Sequence, residues 1–127
     1  METRYVDQLM SRPVETVTPE TSIREAADLM IEHDVGAVVA VEDGRLEGIL
    51  TASDFVRFAR NGAASSEPTV GELMRTDVLT TKRSAPVGEV AAMMLEHLIH
   101  HVPVVDGGDV VGVITSLDLA AQLATSR

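Results

Sequence analysis

The sequence predicts an α+β protein made of two β-α-β-β-α repeats, packed sheet to sheet with pseudo-two-fold symmetry. Three observations carry this. Slid against itself, the chain matches at one strong offset of 64 residues without a gap, so that residues 6–58 lie over 70–122. The matched pairs keep turn and core positions together: Leu9 with Leu73, Met30 with Met94, Gly44 with Gly108, Gly48 with Gly112, Thr51 with Thr115 and Asp54 with Asp118. Each copy alone is a small sheet with helices on one face, and its other apolar face needs a cover that the second copy supplies. The boundaries read as repeat 1 over 1–60, a small polar linker over 61–69 (NGAASSEPT) and repeat 2 over 70–127. The related clefts fall where the halves meet.

Each element has a local cause. Val14–Val17 is a short strand. The run Pro19, Glu20, Thr21, Ser22 turns the chain, and Ser22 followed three residues later by Glu25 forms a capping box. Ile23, Ala26, Ala27, Met30 and Ile31 recur at helical spacing up to His33. Ala37–Val41 is a continuous apolar strand, Asp43–Gly44 has hairpin chemistry and Leu46–Leu50 returns. A second helix runs from about Ala52 to Arg60. Repeat 2 echoes this with a strand near Val78–Thr81, a helix Val87–His97, strands Val102–Val105 and Val110–Ile114, and a helix Leu117–Ala124. Met10, Met30, Met74, Met93 and Met94 fall on faces that should be core, as gap fillers.

Composition narrows function. Twenty acidic against ten basic residues give a net charge of −10, which repels phosphate backbones and argues against nucleic-acid binding. Tyr5, Phe55 and Phe58 are too few for a base-stacking platform. The only lysine is Lys82; an acid-rich, lysine-poor surface suits either a strongly saline, halophilic cytoplasm, where salt screens self-repulsion, or an ordinary acidic protein. With no cysteine, thiol catalysis and disulfides are excluded and a reducing, cytoplasmic location is expected. No apolar run approaches the ~18 residues of a membrane span.

At this point a resemblance emerges. The β-α-β-β-α repeat, the segment His100–His101–Val102–Pro103–Val104–Val105–Asp106, and the paired motifs Gly48–Ile49–Leu50–Thr51–Ala52–Ser53–Asp54 and Gly112–Val113–Ile114–Thr115–Ser116–Leu117–Asp118 resemble a cystathionine-beta-synthase (CBS) domain. Two in tandem resemble a Bateman module over nearly the whole chain. The resemblance implies an adenosine-containing ligand (AMP, ADP or ATP, or S-adenosylmethionine) and no required cofactor. It assigns the ribose to Asp54 and Asp118, and phosphate oxygens to Thr51 and Thr115 beside helix N-termini. A carboxylate can accept both ribose hydroxyls, and free backbone N–H groups at a helix start favour anions. Each cleft draws on both repeats: the Asp118 cleft adds Pro13, Val14 and Glu15, and the Asp54 cleft adds Asp77, Val78 and Leu79. The resemblance also implies homodimers built through the helices.

The two clefts differ. His100, His101 and Pro103 in repeat 2 stand where repeat 1 has Gly36, Ala37 and Val39; the resemblance implies that basic side chains at these positions reach phosphates, so the Asp118 cleft is expected to be the better nucleotide site. Bound phosphate there raises the histidine pKa values, and affinity falls as pH rises. Glu15, Asp77 and Asp109 weigh against triphosphates near either cleft. A plain reading stands beside this one: Thr51/Asp54 and Thr115/Asp118 cap their helices. His97 ends a helix while His100 and His101 begin a strand, so their rings diverge and no metal is expected. His33 and His97 oppose the dipole at helix C-termini. The phosphate-loop, dinucleotide and nucleophile-elbow patterns are missing, so no enzyme is expected. The expectation is a stand-alone regulatory sensor acting through an effector protein. The alternative is a structural or interaction module without a physiological ligand, docked on or dimerised with a partner.

Overall fold

The computed structural model describes residues 3–12, 15–62 and 67–125. Pro13, Val14 and the linker residues 63–66 lie outside them. In chain order the elements are α1 (Val6–Leu9), β1 (Thr16–Val17), α2 (Ile23–His33), β2 (Ala37–Glu42), β3 (Arg45–Thr51), α3 (Ala52–Arg60), α4 (Val70–Leu73), α5 (Val87–His97), β4 (His101–Asp106), β5 (Asp109–Thr115) and α6 (Ser116–Thr125). They form a mixed α+β fold. The chain divides into two compact units, residues 15–78 and residues 1–14 with 79–127.

In the 15–78 unit, β1 runs parallel to β2, and β2 pairs antiparallel with β3. Asp43 and Gly44 at the hairpin both have positive φ (54° and 81°), the backbone that a right-twisted two-residue turn requires. The register shifts between Ala40 and Val41, opposite Gly48 and Leu46, so Glu47 is the extra residue of a bulge. Ser22 caps α2 by accepting from Glu25 N at 3.1 Å, as its spacing predicts. Asp34 closes the helix in the left-handed region. Ala26, Met30, Val38, Ala40, Leu50 and Val70 form the core. The α4 segment is sewn to the α2 entry turn by Val70 N to Thr21 O (2.7 Å) and Gly71 N to Pro19 O (2.8 Å).

The second unit repeats the plan. β4 and β5 pair antiparallel, with the same bulge between Val104 and Val105, and Gly107–Gly108 make the turn. Val90, Met94, Val102, Val104 and Ile114 form its core with Val6 and Met10 of the N-terminal segment. That segment is held by Val6 N to Ala85 O (2.9 Å), Asp7 N to Arg83 O (3.0 Å) and a bridge between Ser11 and Val113. Arg83 also reaches the carboxylates of Asp7 and Asp106, both at 3.6 Å. Met10, Met30 and Met94 are buried, and Met74 and Met93 pack against the cores, in the gap-filling role their spacing assigns.

One element departs from expectation. The strand near Val78–Thr81 reduces to a single parallel bridge, Thr81 to Val104. Pro103 is the cause. At the equivalent place in the other unit, Val39 N donates to Glu15 O at 3.2 Å. Pro103 stands in the place of Val39 and has no N–H to give the carbonyl of Leu79.

Candidate functional site

Both Thr/Asp motifs lie where the last strand of a hairpin runs into the following helix, β3 into α3 and β5 into α6. The carboxylate therefore sits in the first helical turn, where it faces free N–H groups. Thr51 N donates to Asp54 Oδ2 and Thr115 N to Asp118 Oδ2, both at 2.8 Å. Ala52 N and Ser116 N donate to the carbonyls of Gly36 and His100, both at 3.0 Å, which ties each helix start to the entry of the neighbouring strand. The helix-capping role is thus present at both motifs. It uses one oxygen of each carboxylate.

The other oxygens differ. Asp54 is 6 % exposed. Its Oδ1 is paired with the Arg57 guanidinium and lies 3.4 Å from Arg75 Nε. Oδ2 also takes the Thr51 hydroxyl at 3.1 Å. Arg57 is one helical turn on from Asp54. Arg75 arrives by a two-way backbone bridge with Ile49 (Ile49 N to Arg75 O 3.0 Å, Arg75 N to Ile49 O 2.9 Å). The equivalent positions around Asp118 are Ala121 and Ser11. Among the described residues Asp118 forms no ion pair, and its carboxylate accepts only from Thr115 N. The Thr115 hydroxyl accepts from Asp118 N at 3.1 Å, which leaves its own proton for a ligand.

The second unit also gathers the histidines. His101 opens β4 directly opposite Thr115 in register, and His100 Nδ1 lies 3.3 Å from Ser116 Oγ. Burial lowers the His101 pKa below the ordinary histidine value; His100 lowers it further and Asp118 opposes both. The fold therefore favours the neutral His101 ring.

Pro103 is fully buried and its carbonyl accepts from Thr81 N at 3.0 Å. Glu15 belongs to the 15–78 unit, and its carboxylate lies 3.5 Å from His33 Nε2. Val14 is outside the described residues. Val78 ends the 15–78 unit and half-exposed Leu79 begins the other. Asp109 lies at the far end of β5 from Thr115, roughly 20 Å away at strand rise. His97 ends α5, and among the described residues no group of three metal-ligating side chains is assembled. Among the same residues no helix is long and apolar enough to cross a membrane. Arg57 and Arg75 are the residues that sequence reasoning missed. Arg57 was readable as a three-residue pair with Asp54. Arg75, 21 residues away, left no local signal.

Comparison with known proteins places this geometry. A family model described as CBS domain matches residues 6–61 and again 70–125. The CBS domain-containing protein YhcV of Bacillus subtilis is 36% identical over 92% of this chain and 84% of its own length. The CBS domain pair of protein MJ0100, solved in complex with 5-methylthioadenosine and S-adenosyl-L-methionine, superposes with a TM-score of 0.90 at 32% identity, over 99% of this chain and 100% of that one. CBSX2 in complex with AMP gives a TM-score of 0.85 at 25% identity, over 97% and 98%.

Proposed function

Because the chain belongs to the CBS domain family as a tandem pair, we propose that it is a regulatory module that binds an adenosine-containing ligand at Asp118. The observation that carries this reading is the second Asp118 oxygen, which has no partner among the described residues, set beside an uncommitted threonine proton and two histidines. That oxygen accepts the ribose hydroxyls. Phosphate is met by the Thr115 hydroxyl, Ser116 and the start of α6, with the rings of His100 and His101 alongside as N–H donors. Anion binding protonates His101, so affinity for AMP, ADP or ATP falls as pH rises. The structures solved with AMP, S-adenosylmethionine and methylthioadenosine support the ligand class. AMP leads, since its charge is the smallest of the phosphorylated candidates against a chain of net charge −10.

The module signals through protein contacts. The α2 and α5 helices each leave a large apolar side chain in solvent at the equivalent position, Ile31 at 80% and Leu95 at 79% exposure. Leu98 stands in the left-handed region at 84%, where leucine is strained. Such surfaces are covered in a homodimer or by an effector protein. A repeat pair that docks without any ligand is the rival reading, and the same exposed residues favour it.

A thermal melt separates the two. A ligand that binds only the folded state stabilises it by about 2.7 kcal/mol at one hundred times Kd, a rise on the order of 10 °C for a chain of this size. AMP, ATP or S-adenosylmethionine gives that rise in the wild type and not in Asp118→Ala. Unchanged melts with every adenosyl ligand, at low and high salt, leave the docking module.

A further inference from the structure

We propose that Arg57 and Arg75 lock Asp54 as an internal ion-pair hub, so that the chain has one ribose acceptor, Asp118, and takes one adenosine ligand. This rests on the adenosine reading and adds its stoichiometry and the residues that set it. A carboxylate offers about four lone-pair sites. Asp54 has filled them: Thr51 N at 2.8 Å, the Thr51 hydroxyl at 3.1 Å, the Arg57 guanidinium, and Arg75 Nε at 3.4 Å. Its side chain is 5% exposed, against 43% for Arg57 and 52% for Arg75. The charge is thus buried while its two counter-ions reach solvent. A ribose would have to displace guanidinium groups from a buried carboxylate and replace ionic bonds with neutral ones, which are weaker.

The lock is also built into the backbone. Arg57 is fixed by its place on α3. Arg75 is fixed by the Ile49 bridge, and Gly48 beside it leaves no room for a side chain, since a Cβ there would stand 2.7 Å from the Arg75 carbonyl oxygen. The second unit keeps the same bridge, Ser11 to Val113, and the same tight glycine, Gly112, without either cation. The two motifs therefore differ in chemistry and not in plan. Exchanging Arg57 and Arg75 for the residues at the equivalent positions, alanine and serine, should open the first motif.

Native mass spectrometry with AMP counts the ligands. The wild type carries one AMP per chain and Asp118→Ala none. Arg57→Ala/Arg75→Ser carries two, falling to one when Asp118→Ala is added. Two ligands on the wild type, or one on the arginine double variant, overturns the proposal. Melts without ligand supply an arm that does not depend on binding. Asp54→Asn leaves two guanidinium groups without their carboxylate and lowers the midpoint several degrees further than Asp118→Asn; equal shifts overturn the lock. A wild type that binds no adenosyl compound sinks the sensor reading and the ligand count that rests on it, while the two melts still decide the ion-pair lock at Asp54. Arg75→Ser by itself serves if the double variant does not fold, and should already lower the midpoint more than Ser11→Ala does.

Discussion

Replacing Gly48 with alanine tests how closely β3 is held against the segment that delivers Arg75. An added Cβ would lie 2.6 Å from Met74 Sδ, 2.8 Å from Met74 Cγ and 2.7 Å from the Arg75 carbonyl oxygen. The methionine can swing aside. The carbonyl cannot, because it accepts from Ile49 N at 3.0 Å. Relief therefore requires backbone to move by about half an ångström. Overpacking of this kind costs about 1–3 kcal/mol, and weakening the Ile49–Arg75 pair adds about 1 kcal/mol. The sum, about 2–4 kcal/mol, lowers the melting midpoint by roughly 8–16 °C. Gly88 is the internal control. It lies in the first turn of α5, and a Cβ added there would meet nothing within 4 Å, so Gly88→Ala stabilises by about 0.5 kcal/mol through helix propensity. Urea denaturation of both variants beside the wild type reads the difference directly. A Gly48→Ala protein as stable as the wild type, or a Gly88→Ala protein less stable, would refute the packing argument.

Other predictions follow from single features. Leu98 ends α5 at φ 55°, where its counterpart is Asp34, so Leu98→Gly raises stability by about 1 kcal/mol by denaturant titration. Burial lowers the folded-state pKa of His101 beneath its unfolded value of 6.5, so the fold favours the neutral ring. Stability therefore rises with pH up to about 6.5 and is lost as pH falls below it; melts from pH 5 to 8 show this slope, and His101→Asn flattens it. If the exposed Ile31 and Leu95 side chains are covered by a second copy, as proposed, Ile31→Asp/Leu95→Asp lowers the mass measured by light scattering relative to the wild type, and an unchanged mass removes these helices from the interface.

Much of the fold could be read from the chain because the repeat states each element twice. Asp43–Gly44 and Gly107–Gly108 announced their hairpins by turn chemistry alone, and Ser22 with Glu25 announced the α2 cap. The four-residue helices α1 and α4 were not readable, since one turn is too short to show a 3.6-residue period. Nor was the packing of the segment 1–14 with residues 79–127, because an offset comparison aligns residues without saying what they touch. Pro103 carried a signal that went unused: a proline in the central position of a pairing predicts the missing strand at Val78–Thr81. At the site, Thr115, Asp118, His100 and His101 were singled out through the family resemblance, and they lie together in one unit. The Asp54 ion pairs did not, because Arg75 meets Asp54 only through tertiary structure.

Amide spectra recorded during an AMP titration test the central claim most directly. Binding at Asp118 shifts the amides of His101, Thr115, Ser116 and Asp118 along one saturable curve and leaves Thr51 and Asp54 in place. Movement confined to Thr51 and Asp54, or no movement at saturating AMP, would contradict it.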